Sequence, residues 1–446
     1  MNQSSNSSSQ PTLKRIVGLP GAIALGLGSM IGTGIYVSLG LGAYHAQYLT
    51  PIAVILAGLL ALCNALSSAQ LAAAHPIAGG TYQYARIYLH PFLGLLAGIL
   101  FLTAKSASAS AASLAFANNF IRLINHYTTL NLPSITPTIL GLLAIIALTI
   151  VILTGLRRSN QFNITLILLV LASLLTFIIA CMIYLADSPT SPPQSALAQE
   201  PLKNSYQSLF PAAALIFVAY TGYGRIATMG EEITQPKRNI PLAVIFTVLL
   251  TAILYTTIAY LALKIATPDD FYKAAVSGTA LEQISSQLPK PNLLITIIAL
   301  GAILATLTVL LNLILGLSRV VFAMARNHHL PQPFSLLNQQ HNPTFAIILV
   351  AIIILLLTTL GSIKTAWSLS ALTVLIYYGL TNLSALQLPK QHRLYPRIFS
   401  ILGLLGCFTL SFFIEPIYWL VFLAIFILTT FWHLLTKAHL QRPDQT

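Results

Sequence analysis

Apolar runs of about twenty residues or more recur along nearly the whole chain, from the segment around Leu25 to the segment around Phe426. Charged residues fall mainly in the short stretches between them. One helical crossing of a bilayer core needs roughly 20 residues, so each run is long enough to span. Only 7% of the 446 residues are charged, where a soluble domain carries about 25%. At this size a water-soluble fold needs a charged shell that the chain cannot supply. Soluble enzymes, disordered tails and secreted disulfide scaffolds are excluded. The chain reads as an all-α integral membrane protein whose first partner is the lipid bilayer.

The formal charge of +13 does not point to nucleic acid, because the basic residues are scattered in short groups rather than gathered in a patch. Cys63, Cys181 and Cys407 all lie inside apolar runs. They fit neither a disulfide framework nor a metal spacing, and no cofactor or metal is expected.

The runs predict twelve spans: 18–42, 51–74, 91–120, 136–156, 161–185, 207–230, 241–264, 292–325, 344–361, 366–388, 396–414 and 416–435. Fourteen Lys and Arg residues fall on the side of the N-terminal tail and even-numbered loops, against six on the other side. Positive-inside bias then places both termini in the cytoplasm, in a cytoplasmic (inner) membrane. The Ser/Asn/Gln-rich opening lacks the basic and apolar regions of a cleaved signal. Residues 1–17 read as a disordered cytoplasmic tail, 18–185 as spans 1–5 and 186–206 as an exposed outer linker. Residues 207–388 read as spans 6–10, and 389–446 as two further spans and a cytoplasmic tail. The stretch 266–292, the longest outer loop, has room for short helices.

Span 1 carries Gly26, Gly28, Gly32 and Gly34 within nine residues, and span 6 carries Phe217-Val-Ala-Tyr-Thr-Gly-Tyr-Gly224. Close packing of helices by small residues is one reading. A discontinuous helix lining a cavity is the other, since irregular backbone is tolerated at that depth only where it is buried or lines a cavity. The breaks fall in the first span of each five-span block, which favours the second reading and an inverted-repeat carrier. Amides of Gly32, Thr33 and Gly34 would then favour a carboxylate. Freed carbonyls around Val218, Ala219 and Thr221 would favour an ammonium. That pair of sites suits an α-amino acid.

At these residues the chain resembles the amino acid–polyamine–organocation superfamily. Gly28-Ser-Met-Ile-Gly-Thr-Gly-Ile-Tyr36 is similar to its first-span glycine motif, and Pro76-Ile-Ala-Gly-Gly-Thr-Tyr-Gln-Tyr84 to its loop between spans 2 and 3. Ala219-Tyr-Thr-Gly-Tyr223, with Glu231-Glu232 and Pro236-Lys-Arg-Asn-Ile-Pro241, resembles its sixth-span signature. Ser318-Arg319 with Ala323-Met-Ala-Arg326 and Leu330-Pro331 resembles the end of its eighth span. The resemblance implies a LeuT-type five-plus-five inverted repeat with two extra C-terminal helices. It implies carboxylate binding at Gly32, Thr33 and Gly34, and amino-group binding at carbonyls near Met30, Val218 and Thr221. It also makes Phe217 and Tyr220 the candidates for an outer gate.

Lys105 lies about 21 Å of helical rise from residue 91, too deep to snorkel easily. An ionisable residue there is a functional candidate by default. It reads as a coupling site, either a proton carrier or a fixed charge in place of a bound cation, with H+ or Na+ as the coupling ion. A structural lysine bonded to backbone carbonyls is the competing reading. Arg225 is expected to snorkel toward the cytoplasm or to reach Glu231 or Glu232. Those two acids read as a solvated cytoplasmic cluster or a gating latch. None of the nine acids falls at the centre of a span. A carrier for cations would place a carboxylate near its substrate's distal charge, and the position after the span-6 Gly-aromatic pair is Gly224. The substrate expected is therefore a neutral amino acid, with an anionic one second. Rival readings are a cationic amino acid or polyamine exchanger of the same fold and a non-transporting membrane sensor. A membrane enzyme would need converging acid, base or metal clusters; His328 and His329 read instead as solvated loop histidines.

Overall fold

The computed structural model describes residues 13, 15–128, 133–154, 156–187, 208–360 and 362–440. Among these the chain is helical throughout, with no strand and only two isolated bridges, Val17 to Ile233 and Ala78 to Met229. Span 1 is built from α1 (Leu19–Met30), a π-helical segment (Gly34–Ser38) and α2 (Leu39–Ala46). Next come α3 (Thr50–Ala74), α4 (Thr81–Tyr88), α5 (Pro91–Tyr127), α6 (Thr136–Leu153) and α7 (Leu156–Asp187). Span 6 comprises α8 (Leu209–Tyr220), a 3-10 turn (Thr221–Tyr223) and α9 (Gly224–Thr228). Then follow α10 (Pro236–Ile265), α11 (Pro268–Val276), α12 (Ala280–Ser285) and α13 (Pro291–Arg326). The last four are α14 (Thr344–Leu360), α15 (Ile363–Leu386), α16 (Arg397–Ser411) and α17 (Pro416–Leu440).

Helix starts follow local chemistry. Proline opens α5, α10, α11 and α13, where its missing N–H costs no bond. Ser362 starts α15 with a capping box to Thr365, which satisfies two orphan donors at once. Nine helical stretches among the described residues are long and apolar enough to cross a membrane. One of these, Leu19–Ala74, runs the first two predicted spans together, while α14 and α16 are shorter apolar helices.

The helices divide by what they face. Leu143, Leu168, Leu356 and Leu428 are exposed on α6, α7, α14 and α17, as expected of surfaces solvated by lipid. The interior is where polar groups meet: Asn64 with Asn382 (2.5 Å), Ser67 with Ser400 (2.8 Å), Ser108 with Ser370 (2.8 Å) and Thr81 with Thr381 (2.7 Å). Such interhelical bonds hold packed helices together where lipid offers no hydrophobic drive. The serines after Lys105 belong to this interior; Ser106, Ser108, Ser110 and Ser113 are all buried.

The N-terminal tail needs correcting. Leu13 and Val17 are buried, and the amides of Ile16 and Val17 both donate to the Glu232 carbonyl (3.0 Å). Leu13 and the Ile16–Val17 backbone dock against the loop after α9, with the two apolar side chains Leu13 and Val17 buried there. Residues 1–12 lie outside the described residues, as does almost all of the expected outer linker, 188–207.

The loop 266–290 does hold two helices, α11 and α12. It is clamped to the end of α5: Asn118 Nδ2 donates to the Ser277 carbonyl (3.1 Å), Asn119 Nδ2 to that of Gly278 (3.0 Å) and Arg122 to Thr279 (2.8 Å) and Gln283 (2.7 Å). Gly278 has φ +77° against Ala115, a conformation open to glycine and strained for other residues. The clamp buries Glu282 completely. Arg122 Nε approaches Glu282 Oε2 at 3.3 Å, yet neither carboxylate oxygen has a hydrogen-bond partner among the described residues. Burial pushes this carboxyl from its ordinary 4.5 up to about 8, against the opposing pull of Arg122.

A group that ionises near 8 when folded and near 4.5 when unfolded binds more protons in the folded state between those values. Its stabilising contribution is complete below about 4.5 and is lost as pH rises through about 8. Thermal melts of the detergent-solubilised protein should therefore fall between pH 5 and 8, and Glu282→Gln should flatten that slope. An identical slope in both proteins would contradict this account of Glu282.

Candidate functional site

In span 1 the α-helix stops at Met30, and the Ile31 amide still reaches back to Leu27 (2.7 Å). The Gly32 carbonyl then accepts from the amides of Ile35 (3.0 Å) and Tyr36 (3.3 Å). The second segment of span 1 thus begins at Gly32, Thr33 and Gly34. In span 6 the α-helix ends at Tyr220 and tightens into the 3-10 turn at Thr221 before α9.

The two interruptions touch. A Cβ on Gly222 would lie 2.6 Å from the Ser29 carbonyl carbon and 2.7 Å from the Met30 nitrogen. A Cβ on Gly34 would meet Ala219 Cβ at 2.8 Å. Backbone approach requires glycine at position 222, while at Gly34 the side chains of Tyr255 and Ala219 fill the space a Cβ would need. The Tyr255 hydroxyl, from α10, donates to the Met30 carbonyl (2.6 Å) and leans toward that of Ala219 (3.4 Å). The Tyr378 hydroxyl, from α15, donates to the Thr221 carbonyl (3.1 Å). Thr221 Oγ1 donates to the Val218 carbonyl (2.6 Å).

Met30, Gly32, Thr33, Gly34, Val218, Ala219 and Thr221 are all buried or backbone-packed around this junction. The carbonyls of Met30, Val218, Ala219 and Thr221 each meet a hydroxyl group in this conformation. Lys105 belongs to the same cluster. Its Nζ donates to Thr221 Oγ1 at 2.5 Å, with the side chain 5% exposed. Its partner is thus a hydroxyl at the break in span 6, not a run of carbonyls on its own helix.

The gate candidates separate. Phe217 is buried edge-to-face on Tyr378 (5.9 Å between centroids) and borders the cluster. Tyr220 turns away: its hydroxyl donates to the Val54 carbonyl of α3 (3.2 Å) and its ring packs on Tyr255 (5.1 Å). In this conformation its hydroxyl is held by a neighbouring helix.

Beyond α9 the acids differ from the solvated reading. Glu232 is 1% exposed and bidentate to Arg319, at 2.7 and 3.1 Å. Glu231 takes Arg326 at 2.6 and 3.3 Å and accepts the Ala78 amide (3.0 Å). These pairs tie the loop after α9 to α13 and to the Ala78 loop. Arg225 does not snorkel; it is 4% exposed, and none of its guanidinium nitrogens has a hydrogen-bond partner among the described residues. His329 is also buried, sharing a hydrogen bond with the Tyr82 hydroxyl (2.7 Å).

The sequence reasoning missed Tyr255 and Tyr378, which carry no motif and sit in apolar spans. It also missed Asn312, which donates to Asn163 (2.6 Å) against Gly28. A polar residue in mid-span was the available signal for each.

Broken helices in contact, a buried lysine at the junction and apolar helices facing outward define a multi-pass membrane transport protein. The chain belongs to the amino acid permease family, which it matches over residues 21–443. It is 33% identical over 401 residues to an uncharacterized transporter of Mycobacterium tuberculosis H37Rv, covering 90% of this chain and 86% of that one. It is 26% identical over 416 residues to a branched-chain amino acid permease of Bacillus subtilis (89% and 85%). It is also 26% identical over 386 residues to cationic amino acid transporter 5 of Arabidopsis thaliana (85% and 66%).

Removing one member of a buried ion pair leaves the other uncompensated, at a cost of about 3–5 kcal/mol. Glu232→Gln should therefore lower the melting point sharply, and the double variant Glu232→Gln/Arg319→Met should recover most of it. A double variant no more stable than the single would show that the pair is not the source of the loss.

Proposed function

We propose that the protein is a secondary active transporter that carries a neutral amino acid across the cytoplasmic membrane by alternating access, coupled to H+ through Lys105. Twelve spans, arranged as inverted repeats over 18–185 and 207–388 with two extra helices and both termini cytoplasmic, are the architecture of this reading. The observation that carries it is the Lys105 to Thr221 bond, which ties a buried cation to one of the two touching helix breaks. Amides at Gly32, Thr33 and Gly34 receive the substrate carboxylate. Carbonyls of Met30, Val218, Ala219 and Thr221 receive its ammonium once the hydroxyls of Tyr255 and Tyr378 yield. Phe217 is the aromatic that closes over the cluster.

A cation at Lys105 opposes a second cation nearby. Substrate ammonium and the Lys105 proton are thus antagonists, which links proton movement to substrate binding. The same repulsion disfavours arginine, lysine and polyamines. One specific finding favours the rival reading, the cationic amino acid transporter among the relatives; the branched-chain permease favours the neutral one.

A screen of amino acids in proteoliposomes, with and without a proton gradient, should show a neutral amino acid as the preferred substrate and gradient-dependent uptake. Preferential arginine uptake would replace this reading with its rival, and dependence on Na+ instead would reassign the coupling ion. Lys105→Ala and Lys105→Gln should both lose the pH dependence of uptake. Wild-type pH dependence in both variants would remove Lys105 from coupling.

A further inference from the structure

Arg225 stands four residues beyond Thr221, on α9, and is 4% exposed. A guanidinium stays charged and carries five donors, and a charge this deep is costly unless an anion or strong acceptor meets it. The nearby acids are already used. Glu232 gives both oxygens to Arg319, and Glu231 gives both to Arg326. Arg225 lies within electrostatic reach of Arg319 and Glu232, beside a pair whose negative member is committed.

The path of the side chain is set by α13. A Cβ on Gly316 would stand 3.0 Å from Arg225 Cδ and 3.7 Å from Thr228 Oγ1, so only glycine lets the stem pass there unhindered. Arg319 follows Gly316 by one helical turn. Lys105 at Thr221, then Arg225, then Arg319 therefore form a file of three cations leading away from the helix breaks, with one carboxylate among them.

We infer that Arg225 is an anion-binding site between the helix breaks and the Arg319–Glu232 pair, and that it takes a small monovalent anion, either the carboxylate of the transported solute after it leaves the amides of Gly32, Thr33 and Gly34, or a halide. The carboxylate source rests on the transport reading above; the halide source does not. An anion at Arg225 also adjoins Arg319 and competes with Glu232 for it. Arrival of the anion thereby loosens the ion pair that closes this end of the path.

The test uses the full-length protein in detergent and in proteoliposomes. Melting midpoints are titrated with sodium chloride, bromide and acetate, with ionic strength held constant by a bulky sulfonate. At least one of these anions should raise the wild-type midpoint saturably, and Arg225→Gln should abolish that rise. Arg225→Lys should retain it with at least threefold weaker apparent affinity, and it carries the comparison if the glutamine variant fails to fold. With carboxylate as the ligand, Arg225→Gln raises the substrate KM at least tenfold from the face nearest Arg225, and less than twofold from the other. With halide as the ligand, wild-type transport saturates with chloride and the variant loses that dependence. Equal anion responses in wild type and variants would overturn the site, as would the absence of any response. If the wild type transports no amino acid while the melting response depends on Arg225, the transport reading fails and the anion site stands.

Discussion

In a bilayer every backbone polar group must find a partner within the protein, and the whole arrangement depends on how two interrupted helices meet that demand. The break in span 1 and the break in span 6 are pressed together at Gly222 and Ser29–Met30. Hydroxyls from helices outside the two spans cover the carbonyls that the breaks release: Tyr255 for Met30, Tyr378 for Thr221. Hydroxyls can rotate away, and the carbonyls they cover are those an ammonium would use. On the proposed reading, a junction covered by side-chain hydroxyls gives up these bonds to the substrate ammonium. An uninterrupted helix would be more stable and would bind nothing.

Charge is distributed around that junction with a consistent sign. Among the described buried acids, Glu231 and Glu232 are each paired with an arginine of α13, and Glu282 is buried on α12. The cations Lys105, which reaches Thr221 from α5, and Arg225, on α9, lie outside any ion pair among the described residues. On the proposed reading, this sign favours a carboxylate and disfavours a further cation. The two ion pairs fasten the loop after α9 to α13, and on the proposed reading they are broken when this end of the bundle opens.

Much of this was legible beforehand, and the parts that were not share a cause. Long apolar runs announce spans because the bilayer filters residues one at a time, and glycine-rich stretches announce breaks because helices tolerate them poorly. Partners distant in sequence leave no such trace. Glu232 and Arg319 are 87 residues apart and Glu231 and Arg326 are 95 apart, so two adjacent acids beside Lys237 and Arg238 looked like a solvated cluster. Lys105 could be placed at depth by counting helical rise, but its bond to Thr221 required the packing of α5 against span 6. Arg225 was misread because a long cationic stem near a span end ordinarily snorkels, and the close approach of α13 at Gly316 was invisible. Tyr220 was separated from Phe217 only by the direction of one hydroxyl.

The central claim is that the touching breaks form the site of a carrier. It is tested most directly by counterflow: proteoliposomes loaded with an unlabelled neutral amino acid are diluted into a trace of the same compound carrying a label. The account predicts transient accumulation of label above its external concentration in wild type and its loss in Gly222→Ala, whose added methyl would stand 2.6 Å from Ser29. Label that never exceeds equilibrium in wild type, or accumulates equally in the variant, would contradict it.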